Sequence, residues 1–391
     1  MKILLVHNAY QQAGGEDVVF QNETDLLRAH GHTVFPYQVS NQQINQMPAV
    51  EAGLRTLWNP RSYQEIRALI RAQRPDIAHF HNTFPLISPS AYAACRAEQV
   101  PVVQTVHNYR LFCLNALFFR DHQVCEDCVQ KAIPWPGVLH RCYRGSLPAS
   151  LTVAAMLTLH RWLRTWKENV NTWITLTDFT REKLVQAGFA ANKVVVKPNF
   201  IARDPGPGAG NGGYALFVGR LSEEKGIAPL LSAWEALEDP IPLKMIGDGP
   251  LRAAVQQAAM NHKGIEWLGP QDHSQVLEWM GNARFLIFPS ICYEGMPGVI
   301  LEAFARGTPV LASSIGAIPD MLASETGLLF HPGEPTDLIH AVHHLINTPG
   351  LEVSFRKGSR SAYESRYTAD QNAQQLMEIY QQTLLRYQAN E

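Results

Sequence analysis

The sequence predicts an α/β protein built of two doubly wound, mainly parallel halves. Short apolar runs alternate with helical patterns along most of the chain. The alternation breaks once, in a Pro- and Gly-rich segment, and then restarts. At 391 residues the chain is long for one hydrophobic core and comfortable for two.

In the first half the pattern predicts strands at residues 2–7, 33–39, 76–81, 100–107, 173–177 and 193–197. Helices are expected at 16–30, after Gly14-Gly15, and at 180–187. A stretch at 147–166 reads as a long helix with Leu151, Ala155, Leu159 and Trp162 on one stripe, a core helix whose tip carries His160, Arg161, Arg164 and Lys167. The other reading of that helix is docking on a membrane surface. Pro205, Gly206, Pro207, Gly208, Gly210, Gly212 and Gly213 interrupt all periodicity, so residues 198–213 read as the linker. The second half repeats the alternation with strands at 214–218, 243–246, 265–268, 285–288 and 309–312 and a helix at 227–237. The expected domains are therefore 1–199, with a cysteine-bearing insertion at about 108–146, and 200–367, with a terminal helix at 368–391 able to pack on the first.

Composition bounds the function. Hydrophobic residues make up 46% and charged residues 17%, with a formal net charge of −2 and no long basic block, which argues against nucleic acid as the main partner. The N-terminal apolar run is too short for a signal peptide, and no stretch of about 18 apolar residues could span a bilayer. The expected location is the cytoplasm, where a basic patch could still touch the inner face of the membrane. Cysteines in a reducing compartment are free thiols or metal ligands more often than disulfides.

The densest chemistry lies at residues 283–307. A buried strand ends at Pro289, a loop carries Glu294, and Pro297 suits the first turn of a helix, where its missing N–H costs nothing. The free N–H groups of Gly298 and Val299 would then favour a phosphate. Glu302 falls roughly 7 Å further along the axis. Two carboxylates at an anion site make sense if they hold neutral hydroxyls, as of a sugar or ribose; the plain alternative is a capping and a surface carboxylate. Arg220 and Lys225 follow the first strand of the second half, at the carboxyl end where open α/β sheets bind ligands. Either alone would pass as a solvated charge; together with the helix end they read as a diphosphate clamp.

Gly219-Arg220-Leu221-Ser222-Glu223-Glu224-Lys225-Gly226, with Glu294 and Glu302 eight apart and Ile246-Gly247-Asp248-Gly249-Pro250 between, resembles the retaining glycosyltransferases of family four. The resemblance covers nearly the whole chain and implies the GT-B fold: two Rossmann-like domains facing each other across a cleft. It implies that Arg220 and Lys225 hold the donor diphosphate, that Glu302 holds the ribose and Glu294 the transferred sugar, and that Gly247, Leu268 and Gly269 lie beside the nucleotide. Gly14 and Gly15 would allow close backbone approach to the diphosphate, and His107 would face the sugar, whereas His79 and His81 could be core or acceptor residues. Met296-Pro297 stands where many members have Phe-Gly, which leaves the hexose open. The implied reaction moves a hexose-type sugar from a UDP- or GDP-sugar to a glycan or lipid-linked acceptor in surface polysaccharide or glycolipid synthesis, with retention and with no metal at the diphosphate. A sugar phosphorylase or epimerase of the same fold, and a non-catalytic sugar-nucleotide-binding subunit, are the competing readings.

Cys113, Cys125, Cys128 and Cys142 fall within thirty residues, a density that suits a structural zinc, with His122 or His140 able to replace one ligand. Free thiols are the alternative. Cys95 and Cys292 read as unrelated.

Overall fold

The structure is a computed structural model that describes residues 1–12, 14–237 and 241–389. The chain divides into two compact units. One comprises residues 1–118, 126–199 and 372–391; the other comprises 119–125 and 200–371.

The first unit is built on β1 (Lys2–Ala9), β2 (Thr33–Ser40), β3 (Ile77–Asn82) and β4 (Val102–Val106). After a two-stranded hairpin, β5 (Phe119–Arg120) and β6 (Gln123–Val124), come β7 (Thr172–Thr175) and β8 (Val194–Val196). The order is β2-β1-β3-β4-β7-β8, all parallel. Its helices are α1 (Gly15–Ala29), α2 (Ala49–Leu57), α3 (Pro60–Gln73), α4 (Ser90–Ala97), α5 (Trp135–Leu139), α6 (Leu147–Trp162), α7 (Thr165–Asn169) and α8 (Asp178–Gln186). Local chemistry starts them. Asn59 caps α3 through Oδ1, which accepts from the amides of Arg61 and Ser62, with Pro60 in the first turn. Ser146 caps α6 in the same way.

The second unit repeats the plan with β9 (Ala215–Val218), β10 (Leu243–Ile246), β11 (Ile265–Gly269), β12 (Phe285–Phe288), β13 (Val310–Ser313) and β14 (Gly327–Phe330). Their order, β11-β10-β9-β12-β13-β14, is the doubly wound arrangement with its switch point between β9 and β12. The helices are α9 (Ile227–Ala236), α10 (Arg252–Asn261), α11 (His273–Asn282), α12 (Gly298–Ala305), α13 (Ile318–Met321), α14 (Pro335–Asn347) and α15 (Leu351–Arg366), followed by α16 (Ala369–Gln388). Alternate side chains of one strand serve opposite faces of the sheet. Ala215 and Phe217 join the layer of Leu230, Trp234 and Leu338, and Leu216 joins that of Met280, Ile300 and Phe304. Burying each such large side chain is worth about 1.5–3 kcal/mol.

Two expectations need correction, on the linker and on the long helix, and the packing of the terminal helix can be assigned. The segment 198–213 is not a free linker from Phe200 onward but a strap laid on the second unit. The amides of Gly208, Gly210 and Gly212 donate to the carbonyls of Arg306, Gly281 and Asn282 at 2.8–2.9 Å, and Arg306 and Arg356 bind the strap's own carbonyls. The long helix stops at Trp162 because Arg164 turns left-handed (φ 55°) before α7. Of its Leu151–Ala155–Leu159–Trp162 stripe, Leu151 and Trp162 are exposed and Ala155 and Leu159 half-buried, while Val153, Met156, Leu157 and His160 are buried. His160 is held inside by Thr165 Oγ1 at 2.9 Å and the carbonyl of Leu57 at 2.8 Å. α16 from Asn372 onward belongs to the first unit, where Leu376 and Tyr380 enter the core and Thr383 meets Thr172 at 2.7 Å. Among the described residues no helix is long and apolar enough to cross a membrane.

Candidate active site

In the second unit the switch point is assembled by loops that could close only through glycine. Gly226 has φ 69°, and a Cβ there would lie 1.9 Å from the carbonyl oxygen of Pro289. This close approach sets the loop carrying Lys225 against the end of β12. Glu224 strengthens the join, its carbonyl accepting from the amide of Ile291 at 2.9 Å. Gly247 (φ 138°) presses likewise on the carbonyl of Gly219, while Leu221 donates to Asp248 O at 2.9 Å, so the turn bearing Arg220 interlocks with the Gly247–Pro250 turn.

Of the residues expected at this end, Lys225 and Glu294 meet there. Lys225 Nζ lies 2.6 Å from Glu294 Oε1, which Ser290 Oγ also approaches at 2.7 Å. Burial pulls Lys225 toward neutrality, but the charge and hydrogen bond of Glu294 outweigh it and hold the lysine above its ordinary range. Arg220 is exposed, with no side-chain ion pair among the described residues. Pro297 stands one residue earlier than expected, capping α12, so that Gly298 and Val299 are its first two residues. Their amides lack the intrahelical partners that later residues have. Trp267, beside Leu268 and Gly269, donates through Nε1 to the carbonyl of Gly247 at 3.0 Å and lies under the Arg252 guanidinium.

Two neighbours escaped the sequence reading. His273, at the start of α11, places Nε2 3.0 Å from Glu302 Oε1. That hydrogen bond raises its pKa. Cys292 is buried with Sγ 3.9 Å from Glu294 Oε1. Burial first, and the Glu294 charge second, push its thiol up to about 12, so it stays protonated and is a poor nucleophile at neutral pH. No spacing rule links His273 to Glu302, and folding alone brings it in, whereas Cys292 stands two residues before Glu294.

The first unit has its own switch point, between β1 and β3. Asn8 closes it, with Oδ1 accepting from the amides of Leu86 and Ile87 at 2.7 and 3.1 Å. Asp17 orders the Gly14-Gly15 turn by accepting from the Gly14 amide at 2.8 Å and meeting His7 Nε2 at 2.8 Å. Glu16, next in sequence to Gly15, receives Tyr10 Oη at 2.8 Å and Asn108 Nδ2 at 2.6 Å. Burial dominates these bonds and lifts its carboxyl to about 7.

His107 follows β4 and stacks on His81, its Nε2 3.0 Å from His81 Nδ1. His81 Nε2 faces Glu23 Oε2 at 3.5 Å. His79 bridges Tyr380 Oη and Thr105 Oγ1, both at 2.7 Å. Burial pulls the pKa of His7, His79, His81 and His107 down, His107 to about 3, so all four are neutral near pH 7. His79 and His81 are thus a buried support behind His107.

Among the described residues, Glu23, His79 and His81 are the group whose potential ligand atoms lie close enough for a metal ion. Lys197 Nζ is already 3.8 Å from Glu23 Oε1, and its charge opposes a cation there. Among the described residues the four cysteines are not such a group. Cys113 Sγ instead donates to Asn115 Oδ1 at 2.9 Å, Cys128 Sγ lies 3.8 Å from the carbonyl of Pro134, and Cys125 falls in the segment belonging to the other unit.

A family model described as Glycosyltransferase Family 4 matches residues 13–204, and one described as Glycosyl transferases group 1 matches residues 212–348. TuaC of Bacillus subtilis (strain 168), named for teichuronic acid biosynthesis and as a glycosyltransferase, is 29% identical over 167 residues, 43% of this chain and 41% of that protein. The match therefore spans less than half of that relative's length. Sucrose-phosphate synthase from Thermosynechococcus elongatus superposes with a TM-score of 0.70 at 17% identity, over 97% of this chain and 98% of the other. Anabaena Alr3699/HepE, solved in complex with UDP, gives 0.65 at 16% identity over 97% and 99%. At such identities the likeness is one of fold.

Proposed function

The chain belongs to the glycosyltransferases of group 1 and family four, with the paired Rossmann-like domains of the GT-B fold, and we propose that it transfers a hexose-type sugar from a nucleotide-diphosphate sugar to a hydroxyl of a growing surface glycan or glycolipid, with retention. The observation that carries this reading is the contact of Lys225 with Glu294 at the β9–β12 switch point, where the loop after β9 that bears Arg220 and the loop that leads into α12 both emerge.

In this reading Arg220, Lys225 and the amides of Gly298 and Val299 hold the diphosphate and stabilise it as it leaves. Glu302 binds the ribose hydroxyls, Glu294 a hydroxyl of the sugar, and the backbone at Gly247, Leu268 and Gly269 lies by the nucleoside. Gly14, Gly15 and His107 serve from the first unit. The anomeric carbon–oxygen bond to the diphosphate breaks, the acceptor oxygen bonds to that carbon from the same face, and its proton passes to the leaving phosphate. These cations supply the charge a metal would otherwise bring, so chelation is expected to leave turnover unchanged. UDP is the first nucleotide to try, since a protein of this fold was solved with it.

Thermal unfolding with UDP, GDP and ADP, on the wild type and on Glu302→Ala, tests the donor site. A ligand at about a hundred times its dissociation constant adds roughly 2.7 kcal/mol of stability. One nucleotide stabilising the wild type but not the variant is the expected result. No shift with any of the three at millimolar concentration would defeat the donor-site reading.

A further inference from the structure

Three neighbouring helices of the first unit leave apolar faces uncovered. α6 packs beside both α2 and α5. The seam with α2 is close, since a Cβ on Gly53 would stand 3.6 Å from Thr152 Oγ1. On α2, Val50 and Leu54 lie four residues apart, and on α5, Trp135 and Leu139 do the same. On α6, Leu151 and Trp162 share one stripe, about 20° apart at about 100° per residue. All six are more than half exposed, Trp162 reaching 79%. Large apolar residues scattered singly would need no explanation, but paired on one face of each of three adjoining helices they mark an interaction surface.

The charge around them is mostly positive, Glu51 on α2 being paired with Arg55 and Glu168 with Arg164. No Asp or Glu occurs between Asp127 and Glu168, while Lys131, Arg141, Arg144, Arg164 and Lys167 are exposed in that stretch. Lys131 Nζ lies 5.7 Å over the ring of Trp135, which ties the basic rim to the apolar face. A second copy of the chain seated on this face symmetrically would bring the same basic rim against itself. An anionic bilayer satisfies both features, taking the apolar side chains at its headgroup boundary and the cations at its phosphates.

We infer that the α2–α5–α6 face is a docking surface for an anionic lipid bilayer. The inference stands apart from the donor-site reading, because none of its residues belongs to that site.

Flotation of the full chain with vesicles tests it. Binding is expected to phosphatidylcholine vesicles containing about one third phosphatidylglycerol and not to phosphatidylcholine alone, and to fall as salt rises from about 0.1 to about 1 M. Leu139→Glu with Leu151→Glu is expected to lower the bound fraction about tenfold or more, with the unfolding midpoint and any nucleotide-induced shift unchanged. Arg141→Glu with Arg144→Glu, which leaves the apolar side chains in place, is expected to act in the same direction. Absence of binding to the anionic vesicles, or binding that both double variants retain, overturns the inference. So does a self-associated chain that the leucine variant turns into a monomer, or a soluble acidic protein that displaces the vesicles.

Discussion

Lys225 Nζ lies 2.6 Å from Glu294 Oε1, so two residues assigned to different parts of the donor hold each other. The diphosphate must compete with Glu294 for Lys225, and the sugar hydroxyl must compete with Lys225 for Glu294. Lys225→Ala is expected to keep the fold and to lower transfer by about two orders of magnitude or more, as loss of a charge-stabilising donor does. The check is the rate of nucleoside diphosphate release, and unchanged turnover would remove Lys225 from the clamp.

Glu302 carries a comparable partner in His273. Donating to a carboxylate raises the imidazole, and burial only partly opposes it. Followed by NMR, the His273 titration in Glu302→Gln is expected to move down toward the ordinary value of about 6.5. A donor nucleotide that takes the Glu302 oxygens should move it the same way. A titration insensitive to both would show that the contact is not populated in solution.

Acid stability follows from the buried histidines. His7, His79, His81 and His107 have folded pKa values below the unfolded value, so the unfolded chain binds more protons as pH falls through about 6.5. Stability present at neutral pH is therefore lost on acidification. Glu16 works with the opposite sign: its folded pKa of about 7 lies above the unfolded one, so it favours the folded state as pH falls from about 7 toward 4.5. The unfolding midpoint is expected to drop between about pH 7 and pH 5, and more steeply in Glu16→Gln. A variant slope no steeper than that of the wild type would show that Glu16 does not titrate there.

Glu23 and Lys197 are both buried, 3.8 Å apart, with burial pushing each toward its neutral form and their attraction opposing it. Removing one partner strands the other. Glu23→Ala is expected to cost about 3–5 kcal/mol, read as a lower denaturation midpoint. Glu23→Ala with Lys197→Met is expected to recover part of that loss, and a double variant no better than the single would separate the two residues energetically.

Most strands could be read from sequence because a buried parallel strand is a short apolar run between breakers, as at Leu243–Ile246 and Phe285–Phe288. β14 at Gly327–Phe330 was not, since it opens on a glycine and its middle is not buried. For α6, periodicity revealed a helix but named the wrong side as core. The Leu151 and Leu157 faces are similarly apolar, and only the packing of His160, Met156 and Leu157 decides which turns inward. Cysteine spacing likewise counts ligands without showing whether the chain brings them together.

By itself, the sequence determined the alternation of strands and helices and the break between the two doubly wound halves. Each rests on side-chain period or on local dihedral demand, which neighbouring residues encode. Tertiary structure alone decided that Lys225 pairs with Glu294, that His273 reaches Glu302, and that Tyr380 meets His79 across 301 positions. It also decided that the outer stripe of α6 stays uncovered. Such outcomes depend on where the chain returns in space, and no local pattern records that.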